Sequence, residues 1–389
     1  MNSRRRTVVG RVAIVLGTAL AACVAPPACA ITTHLYQDFD GLPLQPSVDE
    51  LPTVPNAFTH NAPSNWIRDA SGVPGVGNPD IGVFEWEGWS FARKSFWESV
   101  GPRFRDQFTL GKDTIAVAET DAWNDKGNPA NTVGFYDTFL TTPLIDFTNA
   151  EKGGTKLSFN SSWMPGCCDD GERFDPDQNN QRASIRLRFP NNNVVPVLRW
   201  ESAPYVDSQG HPSLTLKPNF SPNPFYKTQS LNERVYVDLA PYLSGPNGAL
   251  ARIEYGVTDA GDDGWWAVDV MHMFSFSLVP ADMNVDGIVD ENDVPAFALG
   301  IQNPEAYSNT YFGEIPVTRG SLDSVFDFDD IPWFVDQLES SGVGSAAALV
   351  QAALVGGAIP EPSTLVIAAL VGTVAATIRP RRRAIRSAD

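Results

Sequence analysis

Between residues 31 and 280, short runs of the chain alternate apolar and polar residues with period two. No other feature constrains the fold as strongly, because successive side chains of a strand point to opposite faces. In Ala183 to Phe189, Ile185, Leu187 and Phe189 face one way while Arg186 and Arg188 face the other. Val235, Val237 and Leu239 repeat the pattern, as do Ile253, Tyr255 and Val257, and Leu157 and Phe159 alternate with Ser158 and Asn160. Trp265 to Phe276 is apolar on both faces, which predicts a central strand. Turns rich in Pro, Gly, Asn and Asp separate these runs. The expected fold is therefore mainly β, a sandwich or barrel.

Charge narrows the function. The 28 Lys and Arg face 46 Asp and Glu, a formal net charge of −18, and without residues 1–30 it becomes −22. A nucleic-acid partner is excluded, since that affinity comes from basic side chains neutralising phosphates. The four histidines (His34, His60, His211, His272) are scattered, so neither a zinc hydrolase nor a Ser-His triad is indicated and no catalytic residue is assigned. Trp66, Trp86, Trp89, Trp97, Trp123 and Trp163 are many for one sandwich. Such aromatics grip pyranose rings in sugar-binding modules, but the core is the expected place for them because they bury the most apolar area.

The two ends read as targeting segments. Arg4, Arg5, Arg6 and Arg11 precede the apolar run Val12 to Ala22, and Ala28-Cys29-Ala30 fits a signal-peptide cleavage site. Leu20-Ala21-Ala22-Cys23 offers the alternative of a lipidated Cys23. At the other end Pro360-Glu361-Pro362-Ser363 precedes an apolar helix expected over 363–378 and then an arginine cluster. This three-part tail resembles the PEP-CTERM sorting signal of bacterial exported proteins. The resemblance implies an exosortase-type processing enzyme, a membrane anchor that is at least transient, and a destination at the cell surface or in the extracellular matrix.

The segments Tyr36-Gln37-Asp38-Phe39-Asp40-Gly41, Phe84-Glu85-Trp86-Glu87-Gly88-Trp89 and Trp265-Trp266-Ala267-Val268-Asp269 punctuate the body. With them, residues 36–279 resemble a jelly-roll domain of exported bacterial proteins, similar to the cleaved-adhesin and MAM-like sandwiches. In related jelly rolls a structural calcium often sits where the first and last strands meet, and the resemblance places Asp38, Asp40 and Asp269 there. Ordinary strand-end acids satisfied by turns or water are the alternative. Cys167 and Cys168 are adjacent in a polar loop. In an oxidising compartment they form either a vicinal disulfide, free thiols or a bridge to another chain.

After Pro280 the composition changes. Asp282, Asn284 and Asp286 stand at positions 1, 3 and 5 of an EF-hand-type loop, with Gly287 at 6, the Ile288 carbonyl at 7, Asp290 at 9 and Asp293 at 12. Alternate residues of a tight loop turn their oxygens inward, which suits Ca²⁺. Asp293-Val294-Pro295-Ala296-Phe297 recurs 37 residues later as Asp330-Ile331-Pro332-Trp333-Phe334. Two such halves, with Asp at position 12, resemble a dockerin, which implies a cohesin-like partner or an intramolecular docking role. The second half keeps Asp323, Asp327 and Asp330 but has Arg319 at position 1 and no glycine at the turn, so a degenerate site is expected.

The chain therefore divides into a signal (1–30), a jelly-roll sandwich (31–280), a small helical dockerin-like module (281–340), a linker (341–359) and a sorting tail (360–389). The expected function is that of a surface-sorted, non-enzymatic protein that uses Ca²⁺ and engages a cohesin-like protein or an extracellular polysaccharide. A glycoside hydrolase or lyase built on the sandwich is the alternative, since its carboxylate pair would leave no local motif.

Overall fold

The computed structural model describes residues 31–355, apart from 102–103, 127–134, 151–153, 167–179, 244–248, 262–263, 277–278, 314–319 and 321–324. The chain opens with β1 (Thr32–Gln37), β2 (Phe58–Thr59), β3 (Ile67–Gly72), β4 (Ser90–Arg93) and β5 (Thr114–Glu119). Next come β6 (Tyr136–Thr141), β7 (Ile145–Asp146), β8 (Thr155–Met164), β9 (Arg182–Arg188) and β10 (Val194–Glu201). The short β11 (Tyr205–Val206), β12 (Pro212–Ser213) and β13 (Ser221–Pro222) precede the long β14 (Ser230–Asp238), β15 (Leu250–Ala260) and β16 (Trp265–Ser275). Two brief helices, α1 (Lys94–Ser99) and α2 (Thr120–Trp123), interrupt the sandwich.

The strands form two large antiparallel sheets. One runs β14-β8-β16-β5-β4-β2 with β1 also on β16, and the other runs β10-β9-β15-β6-β3 with β7 on β15. The chain switches repeatedly from one sheet to the other, the jelly-roll habit. β11, β12 and β13 make a small third sheet. The alternating residues land as their period requires: Ile185 and Leu187 on β9, and Ile253, Tyr255 and Val257 on β15, are fully buried. β16 is central, with β8 on one side and β5 and then β1 on the other.

The aromatic residues fill the space between the sheets. Trp86, Trp89, Trp97, Trp123, Trp163, Trp265 and Trp266 are fully buried, and Trp66 nearly so. They are core, and none forms an exposed sugar platform.

The remaining helices are α3 (Asp293–Gln302), α4 (Pro304–Thr310), α5 (Asp330–Ser340) and α6 (Ala346–Leu354). Pro295 and Pro332 occupy the first turns of α3 and α5, where a missing N–H costs no helical hydrogen bond. The sequence repeat is paired in space: the equivalent Phe297 and Phe334 stack with centroids 4.1 Å apart and planes 1° apart. Residues 341–359, expected as a linker, are corrected in part. α6 lies within them and buries Ala346 and Val350, one turn apart, in the helical core. Its Ala and Leu are good helix formers, and the short helix becomes stable once its apolar face has a neighbour to cover it.

The helical module docks on the sandwich. Phe274 and Phe276 at the end of β16 pack with Val285 and Phe312 in one buried cluster. Gly313 lies against Tyr236, where an added Cβ would stand 2.4 Å from the Tyr236 Cβ, and at φ +71° it also needs the conformation glycine tolerates. No helix among the described residues is long and apolar enough to cross a membrane. The signal, the tail with Pro360, Glu361 and Pro362, and the Cys167-Cys168 pair lie outside the described residues.

Candidate functional site

The loop before α3 closes on its own acids. Both Asp282 carboxylate oxygens accept backbone N–H groups, from Asp286 and Gly287, each at 3.0 Å. From the other end, the Asp293 carboxylate accepts the N–H groups of Asn284 and Asp290, each at 2.9 Å. Asn284 Oδ1 accepts the Asp286 N–H at 3.0 Å, and Asp286 Oδ1 accepts the Ile288 N–H at 2.9 Å. Gly287 adopts φ +88° at the turn, a conformation that a Cβ would disfavour. Asp282 and Asp293 are both fully buried. Burial pushes Asp293 up to about 7, and the charges of Asp282 and Asp286 add to the effect. The Asp290 carboxylate accepts the N–H and the side-chain amide of Asn292.

The second half repeats part of this hydrogen bonding. Asp327 N–H donates to the Asp330 carboxylate at 3.0 Å, as Asp290 does to Asp293, and Asp329 N–H donates to Asp327 Oδ1 at 2.8 Å. Asp323 lies outside the described residues.

A second group of acids meets where β16 passes from its pairing with β5 to its pairing with β1. Phe39 at φ +62° turns its ring into the core beside Trp66 and Phe91. Its neighbours Asp38 and Asp40 thereby approach Asp269 on β16, although 229 or more residues separate them in the chain. The β5 approach binds both sides: Thr114 N–H donates to Asp40 Oδ1 at 3.0 Å and Lys112 N–H donates to Asp269 Oδ2 at 2.9 Å. Burial raises Asp269 to about 7, with Asp40 and Asp38 adding to it. Val270, the next residue, is held at φ +49°, which a β-branched residue rarely adopts.

Among the described residues, no group of three or more His, Cys, Asp or Glu side chains is arranged to hold a metal ion by itself. A calcium at either site would thus depend on mixed oxygen donors, carboxylates with amide and backbone carbonyl oxygens, which is the chemistry Ca²⁺ accepts. In the 282–293 loop such a calcium would draw on Asp282, Asn284, Asp286, the Ile288 carbonyl and Asp293, and the four side chains already accept the loop's own N–H groups.

The outward face of the second sheet carries a charge pattern that sequence alternation only half shows. Glu254 on β15 pairs with both Arg186 and Arg188 of β9, and Glu201 pairs with Arg182 and Arg199. Arg186 also covers the Phe139 ring at 4.8 Å. Arg186 and Arg188 are visible as outward residues in the sequence, but their partners come from other strands.

A further carboxylate, Glu50, was not signalled by any motif. Burial pushes it up to about 7, Asp125, Glu85 and Glu119 add to the effect, and the Trp86 indole N–H at 3.3 Å works against it. The native state therefore keeps a proton that the unfolded chain loses above about 4.5. Stability from this group is present below that pH and is lost as pH rises to about 7. Glu50→Gln keeps the indole contact without the charge. It should raise unfolding free energy at pH 8 by about 1–2 kcal/mol, a figure already reduced for solvent screening at a half-buried group. At pH 4 it should change little. Urea titrations at both values check this, and an equal effect at the two would refute it.

No protein-family model matches the chain, and no curated protein matches it. Among solved structures, the K3 cleaved adhesin domain of Lys-gingipain from Porphyromonas gingivalis is 13% identical, over 64% of this chain and 99% of its own, with a TM-score of 0.29. A cyclase from Fischerella sp. TAU is also 13% identical, over 62% of this chain and 98% of its own, with a TM-score of 0.29. The mannan-recognising carbohydrate-binding module TmCBM27 is 9% identical, over 63% of this chain and 98% of its own, with a TM-score of 0.24. Likenesses this distant leave the function to be argued from the geometry.

Proposed function

We propose that the chain is an exported, non-enzymatic binding protein whose sandwich engages an extracellular polysaccharide and whose docked helical module is organised by Ca²⁺. The observation that carries this reading is the 282–293 loop, wound from both ends onto the buried carboxylates of Asp282 and Asp293. Buried like charges repel, and a divalent cation bound among them offsets that repulsion. Val285 of the same loop is buried against Phe274 and Phe276 of the sandwich, so ordering the loop also orders the junction. This supports an intramolecular docking role for the module, with a cohesin-like partner reserved for its outer surface. Asp38, Asp40 and Asp269 supply a second candidate calcium position, at the strand junction. Export, and retention through a sorting tail processed by an exosortase-type enzyme, belong to the same proposal and rest on the terminal motifs.

Calorimetry on residues 31–355 should show Ca²⁺ uptake by the loop with a dissociation constant of about 10⁻⁴ M or somewhat tighter, in the extracellular range. Asp286→Ala should remove that binding event, and adding chelator to the wild type should lower the melting temperature of the module. If the wild type takes up no calcium, the loop has another purpose and the proposal falls.

One observation favours a second reading, a glycan-active enzyme. Glu50 retains its proton up to about 7 and stands near other carboxylates, as a general acid does. Product release from a panel of polysaccharides, abolished by Glu50→Gln, would establish that reading over the binding one.

A further inference from the structure

Arg188 on β9 and Arg252 on β15 are direct cross-strand partners on the outward face of the second sheet. Like charges directly opposite each other destabilise a sheet. Glu254 relieves only one of them, since its carboxylate is shared between Arg186 and Arg188. Arg252 forms no ion pair among the described residues and donates instead to the Thr142 carbonyl oxygen at 2.8 Å. The two guanidinium groups border a cavity of about 390 Å³, within the roughly 300–1,000 Å³ range of small-ligand pockets. Asn192 and Asn193 of the β9–β10 turn line it as well, together with Leu144 and Val194, and no carboxylate does. Leu144 and Val194 are exposed, at 46% and 36%. A chain with net charge −18 thus keeps one cavity lined only by cations, amides and apolar side chains.

We propose that this cavity binds the carboxylate of an acidic sugar residue, a uronate, within the polysaccharide that the sandwich engages. Each part of the lining has a matching chemistry. A guanidinium forms two parallel hydrogen bonds with a carboxylate. The asparagine amides suit ring hydroxyls as both donors and acceptors. Leu144 and Val194 offer apolar surface to the C–H face of a sugar ring. Glu254 engages Arg188 through its Nε, whereas Arg252 forms no ion pair among the described residues, so its charge is left for an incoming anion. The inference rests on the glycan-binding reading above and adds its charge class.

Isothermal titration of the full chain with trigalacturonate, neutral galactotriose and inorganic sulfate tests it. Trigalacturonate should bind saturably, and Arg252→Gln and Arg188→Gln should each weaken it at least tenfold. Asn192→Asp, an exposed turn substitution at a φ of +66° that Asp tolerates, should also weaken it without affecting folding. Galactotriose binding with no trigalacturonate binding would overturn this inference while leaving the glycan-binding reading intact. Binding of neither saccharide would count against both. Sulfate binding as tight as trigalacturonate would show an anion site with no preference for sugar, and would overturn the assignment. Trigalacturonate affinity unchanged in Arg252→Gln and Asn192→Asp would do the same.

Discussion

Trp266→Ala should lower the unfolding free energy by about 3–5 kcal/mol, the range for removing a large aromatic residue from a packed core. Trp266 is fully buried on β16, the strand that pairs with β8 and β5 at this point. Its ring meets those of Trp89 at 5.7 Å, Phe159 at 6.1 Å, Trp200 at 5.8 Å and Tyr255 at 5.8 Å. Those partners come from both sheets, so the residue fastens one layer to the other. The alanine variant leaves a large void, and it also removes the indole donor to Ser161 Oγ, which strands a buried hydroxyl. Denaturant titration followed by tryptophan fluorescence reads the loss. A loss below about 1 kcal/mol would mean that the two sheets are not held together by this cluster.

Glu119→Ala should cost a similar about 3–5 kcal/mol, by a different route. The Glu119 carboxylate is fully buried at the end of β5, where it accepts from Arg105 Nε at 3.2 Å and Nη2 at 3.1 Å, and from the Trp97 indole at 2.6 Å. It also caps α2 through the Ala122 N–H. Arg105 is itself buried, with the Trp265 ring 4.7 Å and the Trp97 ring 5.9 Å from its guanidinium carbon. Burial works against the Arg105 charge, but Glu119 and Asp121 outweigh it and hold the group above its ordinary value. Removing Glu119 leaves that charge with Asp121 alone. The instructive control is the double variant Arg105→Met with Glu119→Leu. Replacing a whole buried pair with apolar groups is often close to neutral, so the double variant should be more stable than Glu119→Ala. If it is less stable, the pair contributes more than the cost of burying its charges.

How much of the site could be read in advance depends on how local each element is. The turn of the 282–293 loop was legible because its acids and Gly287 sit at fixed offsets within one short segment, and the repeat at Asp330 was legible for the same reason. The α6 helix was not: Gly, Ala and Val over 341–359 read as a linker until α3 and α5 are in place to cover Ala346 and Val350. The tryptophans are a middle case. Their abundance was plain, but whether they gripped a ligand or filled a core depended on which side of each sheet they faced.

The sequence by itself determined the mainly β character, strands such as β9 and β15, the acidic character and the spacing of the loop, since strand alternation and loop geometry are set by neighbouring backbone dihedrals. Only the tertiary structure decided which distant residues became neighbours. Asp38 and Asp40 meet Asp269 because β1 lies beside β16, and Arg188 faces Arg252 because β9 pairs with β15 in one particular register. A shift of one residue in that pairing would turn Ile253 outward and Arg252 into the core. The register is therefore fixed by the burial of Ile185, Leu187, Ile253 and Tyr255, and the position of the arginine pair on the surface follows from how the core packs.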